Sequence, residues 1–106
     1  MCKLARFFLN GGVSDSGERL LSQQSLQEML AKQVVKIGSP GSFYGFGMFV
    51  RPFRERYIYG HTGNYHPYNS SYFVDLKTGC GVVTLLNSPV SDIRYTIPEM
   101  ILGMME

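Results

Sequence analysis

The chain has 106 residues, 44 % of them hydrophobic and 17 % charged, with seven Tyr, seven Phe and no Trp. This is a globular composition of one-domain size with a core of limited reserve, and it excludes a disordered chain. A net charge of +2 and a pI near 8.6 are too mild to argue for nucleic acid, and the two cysteines, Cys2 and Cys80, match no metal or redox spacing.

The first stretch, "MCKLARFFLNGG", reads as a short helix with Leu4, Phe7 and Phe8 on one face, ended by Asn10, Gly11 and Gly12. It carries one Lys and too short an apolar run for a secretory leader, and nothing in the chain approaches a membrane span, so a soluble chain is expected, with no address for a compartment. "VSDSGERLL" is a polar loop. Ser22 can cap a second helix, "QQSLQEMLAKQ", whose apolar stripe is Leu26, Met29 and Leu30. "IGSPGS" then breaks the pattern, which places a helical part at residues 1–38.

From there the pattern changes to strands. The aromatic-rich "FYGFGMFVR" predicts a strand over 43–51, and Gly45 and Gly47 imply a close approach to its backbone. "PFRE" is a turn, "RYIYGHT" a second strand and "GNYHPYN" a loop. "SSYFVDL" is a third strand, and "DLKTG" a hairpin turn in which Gly79 can take positive φ. "CGVVTLLN" is a fourth, apolar enough to expect burial on both faces and a buried free thiol at Cys80. Arg51, Arg54 and Arg56 are expected on a solvated hairpin tip. Tyr57, Tyr59, Tyr65, Tyr68 and Tyr72 read as packing along a half-buried sheet, in preference to a stacking face for sugar or nucleic acid. Residues 91–106 are helical in composition. Thr96 and Glu99 form a capping box around Pro98, with the main helix starting near 97 and an apolar stripe of Ile97, Met100, Ile101, Met104 and Met105.

The order is helix, helix, four strands, helix. Short connections between consecutive strands imply an antiparallel meander over 43–87, with helices at both ends covering it. The expected class is α+β, in a single domain over 1–106.

Four strings then fall in one order at plausible spacings: "LLSQQSLQEML", "YGFGMFV", "GHTG" and "SSYFVDLKTGCGVVTLLNS". That ordered set resembles the C-terminal part of the serine β-lactamase and penicillin-binding-protein superfamily, nearest to the class C β-lactamase and esterase branch. His61-Thr62-Gly63 falls where the family carries a Lys-Thr-Gly or His-Thr/Ser-Gly triplet. One departure lies just beyond it: where the family has Pro-Gly before an aromatic, this chain has His66-Pro67-Tyr68.

The resemblance implies an acyl-enzyme hydrolase in which a serine attacks a lactam, peptide or ester carbonyl. His61 would stand where a lysine supplies positive charge, and Thr62 would bind a substrate carboxylate. Gly63 would let substrate lie against the strand, and the Asn64 backbone N–H would serve as an oxyanion donor. No cofactor is implied. The implied partner is a β-lactam, a peptidoglycan peptide or an ester, bound by the full-length parent.

The nucleophilic motif is missing. No serine has a lysine three residues on, and no Tyr or Ser has an Asn two residues on. The expectation is therefore a hydrolase segment carrying the substrate-binding strand, with no catalytic residue of its own and no activity alone. A non-catalytic binding or assembly module on the same sheet is the alternative, and an unrelated small α+β binding domain is a weaker third reading. A His61–His66 metal pair lacks a third ligand and is set aside. A segment of such a fold would expose a sheet edge, so self-association through that edge is expected.

Overall fold

The description rests on a computed structural model that covers residues 1–35 and 41–106. Three helices and six strands follow one another: α1 (Cys2–Leu9), α2 (Gln23–Leu30), β1 (Val34–Val35), β2 (Phe43–Tyr44), β3 (Phe49–Phe53), β4 (Arg56–Tyr65), β5 (Tyr68–Asp75), β6 (Cys80–Leu86) and α3 (Ile93–Met104). The strands form one sheet in sequence order, every neighbouring pair antiparallel. The class is α+β as expected, with six strands in place of four. The helical part ends before the expected 38: α2 stops at Leu30 and Val34–Val35 is already strand β1, while most of the "IGSPGS" break lies outside the described residues.

The helices begin and end where their local chemistry dictates. Gly12 N–H returns to Phe7 O and Gly11 N–H to Phe8 O, closing α1. Ser22 Oγ accepts the Ser25 N–H at 3.0 Å and caps α2. In α1, Ala5 and Phe8 are buried while Leu4 is exposed, so the inward face is turned from the expected one. In α2, Leu26 is buried, with Met29 and Leu30 packed beside it.

The expected strand 43–51 is two strands joined by a tight turn. Gly45 N–H bonds Met48 O, and Gly47 takes φ +77° in the turn. A Cβ on Gly45 would lie 2.1 Å from Met29 O, which is the close approach read from the sequence. Pro52 lies inside β3, opposite Tyr57, where β2 no longer runs alongside and its missing N–H removes no ladder bond. The turn is therefore Arg54–Glu55. The expected loop 63–69 is mostly strand: β4 and β5 pair out to Tyr65↔Tyr68, leaving only His66 and Pro67, joined by a cis bond, as the turn.

The sheet has a helix layer on each face. On one, α3 covers Ile58, Phe73 and Val82 through Leu102, with Phe53 alongside. On the other, Ala5, Phe8 and Leu26 pack on Tyr72, Val74 and Met48. β6 alternates between these faces. Val82 and Thr84 are buried, Val83 packs toward α1, and Leu85 is 75 % exposed, so β6 is not buried on both faces. Cys80 is free but only half-buried.

Helix α3 differs most from the sequence reading. It starts at Ile93, four residues earlier than expected, and no capping box forms: Thr96 Oγ1 donates back to Asp92 O, and Glu99 pairs with Arg51 at 2.6 Å. Pro98 and Leu102 face inward with Tyr95, while Met100 and Met104 of the expected stripe are 63 % and 75 % exposed. Arg51, stacked over Tyr95 and paired with Glu99, fixes that rotation.

Of the three arginines only Arg54 is exposed on the hairpin turn; Arg51 and Arg56 are half-buried. Arg54 pairs with Glu106, and Arg56 with both Glu106 and fully buried Asp75. Arg56 donates from Nε to both Asp75 oxygens at 3.0 Å, and from a terminal nitrogen to Oδ2 at 2.6 Å. Burial pushes the Asp75 carboxyl up. The Arg56 bonds and the Lys77 N–H outweigh it and leave the pKa below the usual carboxylate value.

A depressed folded-state pKa stabilises the fold above the unfolded value, about 3.9, and that contribution fades as pH falls through the lower, folded one. Asp75→Ala should cost about 2 kcal/mol at neutral pH, since it leaves buried donors unmet. Urea unfolding midpoints of wild type and variant should converge as pH drops below about 4; an equal gap at both pH values would refute the assignment.

Candidate functional site

The site is built on the far half of β4. Strand β3 pairs with β4 from Arg56 to Gly60 and stops, while β5 continues alongside to Tyr65. Among the described residues, 61–65 therefore have a strand neighbour on one side only. Gly60 marks the change. A Cβ there would lie 1.8 Å from Tyr72 O and 2.8 Å from Phe73, so only glycine lets β4 pass so close to β5.

His61 is half-buried and held on three sides. Its ring stacks on Phe49 at 4.6 Å between centroids, 13° from parallel. Nδ1 lies 2.5 Å from Thr62 O, and Nε2 lies 2.7 Å from the Tyr44 hydroxyl. A carbonyl only accepts, so Nδ1 carries a proton. In the neutral ring, Nε2 then accepts from Tyr44.

Thr62 lies on the α3 face. Its hydroxyl is 3.4 Å from the Tyr95 hydroxyl, and it stands in register with buried Ser71 and Thr84, so three hydroxyl residues cross the sheet in one row. One row further out, Asn64 Nδ2 donates to Asn69 Oδ1 at 2.7 Å. Buried Asn69 also accepts from Arg94 at 3.3 Å and donates to Ser88 O at 2.6 Å, tying the end of β4 to the β6–α3 connection.

Gly63 lies on the opposite face, in register with Ser70 and Leu85. These three floor a groove of about 600 Å³, with Tyr65 and Tyr68 at its outer side and Asn87 at one end. Asn64 also borders it. His61 and Thr62 do not, so the triplet is divided between two faces: Gly63 with the groove, Thr62 with Tyr95. Tyr65 and Tyr68 are 84 % and 59 % exposed, unlike buried Tyr72 and half-buried Tyr57 and Tyr59; the packing role expected for all five holds for three. His66 is an exposed turn residue, and among the described residues no three His, Cys, Asp or Glu side chains are grouped as metal ligands.

Sequence reasoning missed Tyr44, Tyr95, Asn69, Ser70 and Leu85. Ser70 and Asn69 become legible once the turn is known to be His66–Pro67, because a two-residue turn sets Gly63 opposite Ser70. Tyr95 carries no local signal, and Tyr44, although it opens the quoted "YGFGMFV", carries none that it reaches His61.

A helix-flanked antiparallel meander is the fold expected from the sequence resemblance. The Beta-lactamase family model matches residues 2–101, and the chain belongs to that family, within the serine β-lactamase and penicillin-binding-protein superfamily. No curated protein and no solved structure matches the chain significantly.

The His61 contacts give a direct expectation. Nitrogen-15 NMR of the neutral imidazole should show the Nδ1–H tautomer, with Nε2 as a hydrogen-bond acceptor. Tyr44→Phe should move the Nε2 resonance toward that of a free acceptor while leaving Nδ1 protonated. A neutral ring protonated at Nε2 would contradict the geometry.

Proposed function

We propose that this chain carries the substrate-binding wall of a serine hydrolase of the class C β-lactamase and esterase type, and that it has no acyl-transfer activity alone. The observation that carries the reading is the half-open strand. Backbone groups of residues 61–65 on the β3 side have no strand partner among the described residues, beside a triplet at the position the family uses for substrate. A lactam, peptide or ester can align with such an edge as an added strand would.

In this reading Thr62 Oγ1 binds a substrate carboxylate, exchanging its long 3.4 Å contact with Tyr95 for a charge-assisted bond. Gly63 permits close approach, and the Asn64 N–H is one of two oxyanion donors. His61 differs from a lysine in this place: its nitrogens are engaged by Tyr44 and Thr62 O, so it fixes the strand end and presents the Tyr44 hydroxyl beside it. The nucleophile, its proton-transfer partner and the second oxyanion donor come from outside these residues, since no Ser-x-x-Lys is present.

The isolated chain should hydrolyse neither a chromogenic β-lactam nor a p-nitrophenyl ester above buffer rate; turnover abolished by changing one of its serines would refute the proposal. A penicillin titrated into labelled chain should shift the amides of 61–64. Thr62→Val should weaken that binding about tenfold, the worth of one hydrogen bond to a charged group. An unchanged affinity would remove Thr62 from the site.

A second reading, an assembly module, is favoured by one observation. β6 ends the sheet order, so its outer edge has no strand partner among the described residues, and Leu85, Met100 and Met104 are exposed nearby on β6 and α3. Self-association through that edge should raise the sedimentation mass on the order of tens of micromolar. A single monomeric species there would count against it.

A further inference from the structure

At the end of the sheet away from the triplet, two arginines converge on one carboxylate. Arg54 stands in the β3–β4 turn, and Arg56 opens β4, about 23 Å of extended strand before Gly63. Arg54 pairs with Glu106 Oε2 and Arg56 with Glu106 Oε1, so each guanidinium takes one oxygen of the same side chain. Glu106 lies just past α3, and its side chain is 32 % exposed.

Each guanidinium has anchors other than Glu106. Arg56 is held by three hydrogen bonds to buried Asp75. Arg54 donates to Gly103 O at 3.3 Å, in the last turn of α3, where unpaired helix carbonyls favour a cation. A Cβ on Gly103 would lie 2.7 Å from the same Arg54 nitrogen and push it aside. Both arginines also lie over the Phe53 ring, at 5.4 and 5.1 Å from its centroid. None of the Arg54 anchors carries a negative charge. Two like charges are thus fixed side by side, and an anion between them relieves their repulsion.

The pair opens onto a groove of about 600 Å³ between the β3–β4 and β5–β6 turns. Lys77 lines this groove and has no ion-pair partner among the described residues. With Asp75 counted, the cations Arg54, Arg56 and Lys77 balance the carboxylates Glu55, Asp75 and Glu106; without Glu106 one positive charge is left over. A planar carboxylate offers one oxygen to each guanidinium, whereas phosphate leaves half of its oxygens without a donor from the pair. Met105 supplies apolar surface beside the clamp, suited to an aliphatic stem.

We propose that Arg54 and Arg56 form a receptor for one aliphatic carboxylate, that Glu106 fills it from within the chain, and that an external acid of the same kind displaces Glu106. The site lies apart from Thr62 and Gly63 and does not rest on the reading of β4 as the substrate-binding strand. Displacement frees the residues after α3 from the β3–β4 turn and leaves the Arg56–Asp75 pair in place.

Propionate, the glutamate side chain as a free molecule, tests it against propionamide, its neutral isostere, and inorganic phosphate. Each is titrated into the isotope-labelled full chain while the Nε–H resonances of Arg54 and Arg56 are followed by NMR. In Glu106→Ala, propionate should shift both resonances saturably. It should bind there severalfold more tightly than in wild type, where the internal carboxylate competes. Added to Glu106→Ala, Arg54→Gly should weaken propionate binding about tenfold, as loss of one charged hydrogen bond implies. The turn should survive that change, because glycine takes the Arg54 φ of +54° freely.

Lys77→Gln removes a charge of the same sign from the same groove and should cost much less than Arg54→Gly. Four results would each overturn the proposal: no saturable shift in Glu106→Ala, no gain in affinity over wild type, equal binding of propionamide, or a preference for phosphate. Equal losses in Arg54→Gly and Lys77→Gln would do the same, by reducing the clamp to diffuse positive charge.

Discussion

The structure depends first on the pairing of β4 with β5. Its ladder runs without interruption from Tyr59↔Val74 to Tyr65↔Tyr68 and is set by a turn of only two residues. With so short a turn, the register cannot slip by one residue without exchanging the two faces of the sheet. The hydrophobic clusters, the hydroxyl row and the groove beside Gly63 all follow from it. Gly60 belongs to the same constraint, because any side chain there would collide with the backbone of β5.

Each face of the sheet then shows its own order along the strands. Beneath α3, an ion pair stands at one end with Arg56 and Asp75, followed by the apolar cluster around Phe73 and Leu102. The Thr62–Ser71–Thr84 row comes next, and then the amide pair Asn64–Asn69. Asn69 stays buried in this order, and its amide is satisfied by Asn64, Arg94 and Ser88. On the other face, aromatic packing under α1 and α2 gives way at Gly63 and Ser70 to an open floor. The proposed substrate-binding end lies where the α1–α2 layer stops, while Tyr95 and Arg94 of α3 still reach Thr62 and Asn69 on the other face.

Divided faces make the triplet more than a linear motif. Consecutive strand residues point to opposite sides, so Thr62 and Gly63 serve different environments although they are adjacent in sequence. His61 anchors the strand just before them: its ring is held by Tyr44 from β2 and Phe49 from β3. The short strands before β4 therefore support the site as well as extend the sheet.

The sequence by itself determined the α+β class, a run of antiparallel strands between helices at both ends, the family and the glycines at which the chain turns or comes close. These features are local: period-two alternation, a serine cap before Ser25, glycine where no Cβ fits. Only the tertiary structure decided which side of α3 faces inward, because its apolar residues encircle much of the helix and the rotation is fixed by Arg51 and Glu99, 48 residues apart. Only the tertiary structure decided that Tyr65 and Tyr68 stand in solvent while Tyr72 is buried, that Tyr44 reaches His61, and that Gly63 faces Ser70 and Leu85. Those choices are made by partners distant in the chain, and a residue's own neighbours in sequence carry the period of its strand but not the identity of what it meets across it.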